Sequence, residues 1–207
     1  MALYGYAKAC CVAALLMGLP VSGRAAEIDT EHLFGFMIGS DVGKVGEREF
    51  QSQTTGRFSK SGGRYRGLNQ EFELEFVPAP DFRVELGTTF AAHNIAGVAG
   101  LDDRRQVGWQ GLSVDLRYRL LDRDQAPFGM TFAVETSASR IEETSGLPAR
   151  AYGTEITLAF DRELIPGYVV AALNLLYQPE WTRLVGTDFI DRESTVGVAA
   201  AVMAQVR

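Results

Sequence analysis

The sequence has few cysteines, few histidines and no excess of basic residues. Its two cysteines among 207 residues stand at positions 10 and 11, so residues 12–207 cannot form a disulfide, which excludes a disulfide-stapled module. The formal net charge is -6, which leaves no basic stripe to neutralise phosphates, and we expect no nucleic-acid partner. The two histidines, His32 and His93, are isolated, so we expect no metal site and no cofactor.

Long hydrophobic runs are also missing beyond the first segment, which excludes helical membrane spans. Residues 1–26 have a cation at Lys8, an apolar run from Ala9 to Pro20, and small residues around Ala25. This layout is typical of a secretory signal peptide, and its run is too short for a membrane anchor. We therefore predict an exported protein whose mature chain begins at Ala26 or Glu27.

The rest of the chain alternates apolar and polar residues in short segments bounded by turn-forming residues. The clearest segment is 68–76, in which Glu71, Glu73 and Glu75 fall between Phe72, Leu74 and Phe76. A strand places the glutamates on one face, whereas a helix would distribute them around its axis. The same pattern predicts eight strands, at 49–59, 68–76, 82–91, 111–120, 128–135, 152–161, 169–177 and 195–206.

Three features favour an all-β, antiparallel, up-and-down transmembrane β-barrel of about eight strands, or part of a larger barrel. The polar face mixes charges with small residues, as in a narrow hydrated lumen. Short connections (77–81, 122–127 and 162–167) alternate with long ones (93–108, 140–151 and 179–193). Aromatic residues flank both sets, as in interfacial girdles. They are Phe76, Phe82, Phe128, Phe160 and Tyr168 beside the short turns, and Phe90, Trp109, Tyr152, Tyr177 and Trp181 beside the long loops. A soluble barrel with the faces reversed shows the same alternation.

The candidate site residues are the charges that this assignment turns into the lumen. They can form a ladder of ion pairs that fills the barrel, or a selectivity lining for a polar or cationic solute. They are Arg57, Glu71, Glu73, Glu75, Arg83, Glu85, Asp115, Arg117, Arg119, Glu135, Glu155 and Asp161.

His93 offers the one candidate for catalysis. It stands at the rim of a long loop with Asp102 and Asp103 following in sequence, and a histidine oriented by a carboxylate can act as a base near neutral pH. A solvated loop histidine explains the same residue. We therefore predict no enzyme activity and keep a protease-like or acyltransferase-like barrel as the alternative.

The opening of the mature chain contains Glu31-His32-Leu33-Phe34-Gly35-Phe36, then Gly39-Ser40-Asp41-Val42-Gly43 and Gly46-Glu47-Arg48-Glu49. With Thr54-Thr55-Gly56-Arg57-Phe58 and Gly100-Leu101-Asp102-Asp103-Arg104, it resembles an uncharacterised bacterial outer-membrane β-barrel protein family. The resemblance implies location and architecture. Two departures are an end without an aromatic residue, Ala204-Gln205-Val206-Arg207, and a chain shorter than is usual for such proteins.

These observations divide the chain into a signal peptide (1–26), a periplasmic segment, plug or extra strand (27–45) and an outer-membrane β-barrel (46–207). The function we expect is non-enzymatic, either structural or a passive channel for a small polar solute. The expected partners are outer-membrane lipids and the barrel-assembly machinery of the envelope. A soluble exported barrel that binds a hydrophobic ligand is a further alternative.

Overall fold

The computed structural model describes residues 30, 37–60, 62–188 and 190–204, and the predicted signal peptide lies outside them. The described residues form eight β-strands. No helix in this part of the chain is long and apolar enough to cross a membrane. The strands are β1 (Arg48–Phe58), β2 (Arg64–Ala79), β3 (Phe82–Ala96), β4 (Arg104–Leu121), β5 (Gly129–Ile141), β6 (Pro148–Ile165), β7 (Val169–Leu184) and β8 (Ile190–Ala204).

Each strand pairs antiparallel with the next in sequence, so the predicted all-β, up-and-down architecture of eight strands is confirmed. The sheet curls into a half-barrel around an internal cavity that is lined by strands from β1 to β8. The described order of hydrogen-bonded strands runs from β1 to β8, so these two strands are the edges of the sheet.

The strands are longer than their alternating segments, and the connections are correspondingly shorter than predicted. The expected long loops shrink to 97–103, 142–147 and 185–189. Backbone pairing continues past the apolar alternation because ladder hydrogen bonds need no particular side chain. β4, for example, begins at Arg104 and passes through Arg105 and Gln106 before its apolar face starts. The connections at one end of the strands are therefore only slightly longer than those at the other, whereas the sequence predicted a large difference. Gly62 and Gly63 lie in the β1–β2 connection with positive φ angles, which glycine adopts at little cost.

The two faces of the sheet have inverted burial. On β4, Leu116 is 42% exposed whereas its neighbour Asp115 is 7% exposed. Phe132 and Leu86 on the flanking strands are also exposed, whereas Glu85 is buried. We call the face that lines the cavity the inner face and the opposite one the outer face. Charged side chains are buried on the inner face, and large apolar side chains cover the outer one.

Candidate functional site

We call the end of the strands that carries connections 97–103, 142–147 and 185–189 the loop end, and the opposite end the short-turn end. A polar cavity of about 990 Å³ occupies the inner face between the middle of the strands and the loop end. Among the described lining residues Arg57 is the one basic side chain. The acidic lining residues are Glu71, Glu135, Glu142, Glu143, Glu155, Glu180, Asp191 and Glu193. The space is therefore hydrophilic, and carboxylates outnumber cations in its wall.

Strand register places five carboxylates side by side across the inner face of β2–β6. Glu75 faces Glu85, Glu85 faces Asp115, Asp115 faces Glu135, and Glu135 faces Glu155. We call this row the carboxylate belt. Like charges directly opposite one another on neighbouring strands are destabilising. The belt therefore needs cations, solvent or bound protons to persist.

Two arginines neutralise one half of the belt. Arg83 Nη2 lies 2.7 Å from Glu75 Oε2 and 3.1 Å from Glu85 Oε2. Arg117 contacts Glu85 at 3.2 Å through Nη2 and Asp115 at 2.6 Å through Nε. We call these five residues the ion-pair cluster. Because Arg83 and Arg117 face each other on β3 and β4, the cluster fills the β2–β4 side of the interior.

The other half of the belt faces the cavity and has weaker partners. Glu155 accepts hydrogen bonds from Thr157 Oγ1 at 3.0 Å and from Gln178 Nε2. Glu135 lines the cavity, and no hydrogen bond or ion pair is described for it. This half lines the open space of the cavity, and no arginine pairs with it in the described ion pairs.

The inner face of β1 and β2 carries three more of the predicted residues, Arg57, Glu71 and Glu73. Thr89 Oγ1 donates to Glu71 Oε1 at 3.2 Å, and Glu73 follows two residues later on β2. Arg57 pairs with Glu143 in the β5–β6 connection. The structure therefore joins Arg57 to an acid that sequence reasoning did not select.

The β5–β6 connection, 142–147, folds over the cavity. Glu142 organises it by accepting hydrogen bonds from Thr144 N–H at 2.9 Å and from Ser145 N–H at 2.7 Å. Burial raises the pKa of the Glu142 carboxyl, but the hydrogen bonds from Ser145 and Thr144 outweigh it and hold the pKa below its ordinary value. Tyr65 OH anchors the connection from β2 by donating to Thr144 O at 2.9 Å.

His93 supports the same connection and forms no site with the two aspartates that the sequence suggested. It is 2% exposed, and its Nε2 lies 2.9 Å from Glu143 O. Asp103 Oδ1 accepts instead from Gly97 N–H at 2.7 Å. The reading of His93 as a solvated loop residue is wrong, because the connection buries it. Among the described residues, no group of three or more His, Cys, Asp or Glu could hold a metal ion.

At the opposite end of the strands, Arg119 and Asp161 lie beside the short connections. Arg119 Nη2 is 2.7 Å from Asp81 Oδ1 in the β2–β3 connection and 3.8 Å from Asp122 Oδ2. Asp161 is fully buried. It pairs with neither Arg83 nor Arg117 in the described ion pairs, and its partners come from the β4–β5 connection and from the chain before β1.

That preceding chain reaches into the sheet. We call residues 37–45 the inner segment; they form neither helix nor strand. Ser40 donates to Asp161 through both N–H (to Oδ2) and Oγ–H (to Oδ1), each at 2.7 Å. Thr131 Oγ1 on β5 donates to Ser40 O at 2.7 Å. Met37 and Val42 of the inner segment are also buried.

Arg123 and Thr30 also contact the Asp161 carboxylate. Arg123 Nη2 lies 2.7 Å from Asp41 Oδ2, and Arg123 Nη1 lies 3.4 Å from Asp161 Oδ2. Thr30 Oγ1 bonds Asp161 Oδ2 at 2.6 Å. Burial lowers the pKa of Arg123, but Asp41 and Asp161 outweigh it and raise the pKa above its ordinary value. Sequence reasoning missed these partners because no periodic pattern connects them.

Comparison with known proteins identifies the family of the chain and no closer relative. Neither the curated proteins nor the solved structures contain a match to it. A family model matches residues 26–194, which include β1 to β7 and the beginning of β8. The chain therefore belongs to the family described as "Family of unknown function (DUF6662)".

Proposed function

We propose that the protein is a non-enzymatic outer-membrane β-barrel, which acts as a structural barrel or as a passive channel for small polar solutes. The inverted burial of the two faces carries this proposal. In water, exposure of apolar side chains over most of a sheet is costly, whereas lipid favours it. The exposed large apolar residues of the outer face include Leu68, Leu74, Leu86, Leu112, Val114, Leu116, Phe132, Leu175, Val196, Val198 and Val202.

The height of the apolar band supports the proposal. Phe160 and Tyr152 lie on one strand, eight residues apart, or about 26 Å at ~3.3 Å per residue. A strand tilted by roughly 40° spans about 20 Å of membrane over that length, close to the ~25 Å band of outer-membrane barrels.

Aromatic rings lie at both ends of this band. At the loop end Tyr152 contacts Trp181, with ring centroids 5.4 Å apart, and Phe90 faces Trp109. At the other end Phe128 packs on Phe160 at 6.0 Å. Aromatic rings at two levels match the interfacial girdles.

The interior supports a polar solute rather than a hydrophobic ligand. Most residues of the cavity wall carry carboxylates, amides or hydroxyls, which an apolar ligand would leave without hydrogen bonds. Because carboxylates dominate this wall, we expect any conducted ion to be preferentially a cation. The same wall gives no support to the soluble, hydrophobic-ligand alternative. The described contacts of His93 include neither Asp102 nor Asp103, so His93 gives the enzyme alternative no support.

Membrane fractionation tests the location. We expect the full chain to sediment with outer membranes and to require detergent for extraction. Recovery in the aqueous periplasm without detergent would contradict the proposal.

Planar bilayer recordings test the channel separately. A cation-selective conductance, measured as the reversal potential across a salt gradient, is expected for a channel. A silent protein that nevertheless inserts into the bilayer would leave the structural barrel as the function.

A further inference from the structure

We propose that the inner segment, residues 37–45, is a releasable plug that closes the short-turn end of the barrel and is seated on the carboxylate of Asp161. The seat itself needs only the fold. Its consequence for conduction rests on the proposed function.

The seat is built into the inner wall of β5 and β6. Asp161 is fully buried, and both of its carboxylate oxygens accept from Ser40. A Cβ at Gly129, which faces Asp161 across the β5–β6 ladder, would clash with Ser40 Oγ. The absence of a side chain at Gly129 therefore leaves the space that Ser40 occupies.

The plug and the ion-pair cluster fill different sides of the interior. The cluster lies against β2–β4, whereas the inner segment lies against β5 and β6 through Thr131 and Asp161. The large cavity continues from the middle of the strands to the loop end. Release of the inner segment would therefore open the β5–β6 side between the cavity and the short-turn end, and the cluster would stay in place.

The attachment is concentrated enough to be reversible. Its described polar contacts with the strands and with the β4–β5 connection involve three residues, Asp161, Arg123 and Thr131, and its buried apolar side chains are Met37 and Val42. Gly43 lies near the end of the segment and Gly46 directly follows it, with φ angles of 77° and 89°. Such backbone is accessible to glycine at little cost, so the chain can change direction there before β1 begins.

Thiol labelling of the full chain tests the plug. Cys10 and Cys11 are replaced by alanine, and Val42→Cys, a buried position, supplies one thiol for a water-soluble maleimide. With Asp161 intact we expect slow labelling. With Asp161→Asn, which removes the charge that anchors Ser40, we expect labelling to accelerate on the order of tenfold. Asp191→Asn at the far end of β8 is the matched control and should leave the rate unchanged.

A second variant tests the plug independently, in case Asp161→Asn fails to fold. Gly129→Ala keeps every hydrogen-bonding group but occupies the space of Ser40 Oγ, so it should also accelerate labelling. Its control, Gly197→Ala, meets only ordinary contacts with Leu176 and should not. Fast labelling with Asp161 and Gly129 intact, or slow labelling in both variants, would overturn the plug.

Conductance separates this inference from the proposed function. If the barrel is a channel, Asp161→Asn should open more often or conduct more than the unsubstituted chain. Fast labelling of Asp161→Asn with no conductance in either protein would confirm the plug and contradict the channel. Unchanged labelling with conductance in both proteins would contradict the plug and support the channel.

Discussion

At the scale of single residues, the ion-pair cluster shows how buried charges persist inside the sheet. Arg83 and Arg117 each contact two acids, and Glu85 Oε2 contacts both arginines. Glu85 is therefore the shared partner of the cluster. Without Glu85, Arg83 would keep Glu75 and Arg117 would keep Asp115, but each arginine would lose one charge-assisted contact.

We therefore expect Glu85→Leu, which removes one charge-assisted contact from each arginine, to lower the free energy of unfolding by about 1.5–3 kcal/mol. Glu135→Leu is the matched control, because Glu135 occupies the same belt with no described ion pair. Its replacement relieves repulsion from Asp115 and Glu155 and should be neutral or stabilising. Urea unfolding in phospholipid vesicles, followed by tryptophan fluorescence, measures both. Equal destabilisation by the two variants would show that the cluster has no special role.

Glu142 leads to a prediction about pH at the same scale. Its pKa in the folded protein is below the ordinary value of 4.5, so its carboxylate stabilises the β5–β6 connection above that pH and loses this effect as pH falls through the folded pKa. We expect Glu142→Gln to speed amide exchange at Ser145 about three- to tenfold near neutral pH. The ratio of variant to unsubstituted rates cancels the intrinsic pH dependence of exchange. It should approach one in acid, and a constant ratio would contradict the assignment.

At the scale of strands, the alternation of side chains identified each strand but not its length. Apolar alternation ends where a strand leaves the apolar band, whereas the hydrogen-bond ladder continues. β4 shows this, since its first residues Arg104 to Gln106 pair with Ile95, Asn94 and His93 of β3. The side-chain pattern thus reports the environment of a strand, and backbone pairing determines its ends.

The outer face of β4 provides a test of the membrane environment. Val114 lies in the middle of the apolar band, and Val107 lies on the same strand beyond Trp109 and is also exposed. We expect Val114→Arg to destabilise the protein in vesicles by about 2–4 kcal/mol, and Val107→Arg by at most about 1 kcal/mol. Urea titration in vesicles compares the two. In a water-exposed sheet both changes would cost little, so small and equal effects would contradict the lipid-facing assignment.

At the scale of the whole molecule, the two edge strands, β1 and β8, need hydrogen-bond partners for their backbone groups in a membrane. Backbone groups without partners cost several kcal/mol in hydrocarbon, so a sheet in lipid cannot keep open edges. β1 and β8 have complementary ends, because Arg57 near the loop end of β1 and Asp191 near that of β8 both line the cavity. We therefore expect β1 to pair with β8 of the same chain in the membrane.

Cross-linking tests this closure in a chain whose Cys10 and Cys11 are alanine. Arg57→Cys combined with Asp191→Cys should form a disulfide within one chain, visible as a faster-migrating monomer on a non-reducing gel. Arg57→Cys with Met203→Cys is the control and should not, since Met203 lies about 40 Å farther along β8. A disulfide-linked dimer, or no cross-link in the first pair, would contradict closure within one chain.

The chain by itself determined the eight strands, their order and the separation of apolar from charged residues, because these follow from the two-residue period of a strand and from local turns. Which charges pair was decided only by the tertiary structure. Register brings Glu75, Glu85 and Asp115 together across strands, and curling places Arg57 against Glu143. The seat of Ser40 on Asp161 joins groups 121 positions apart in sequence. No local periodicity encodes such a contact, since it depends on how the curled sheet leaves space at Gly129.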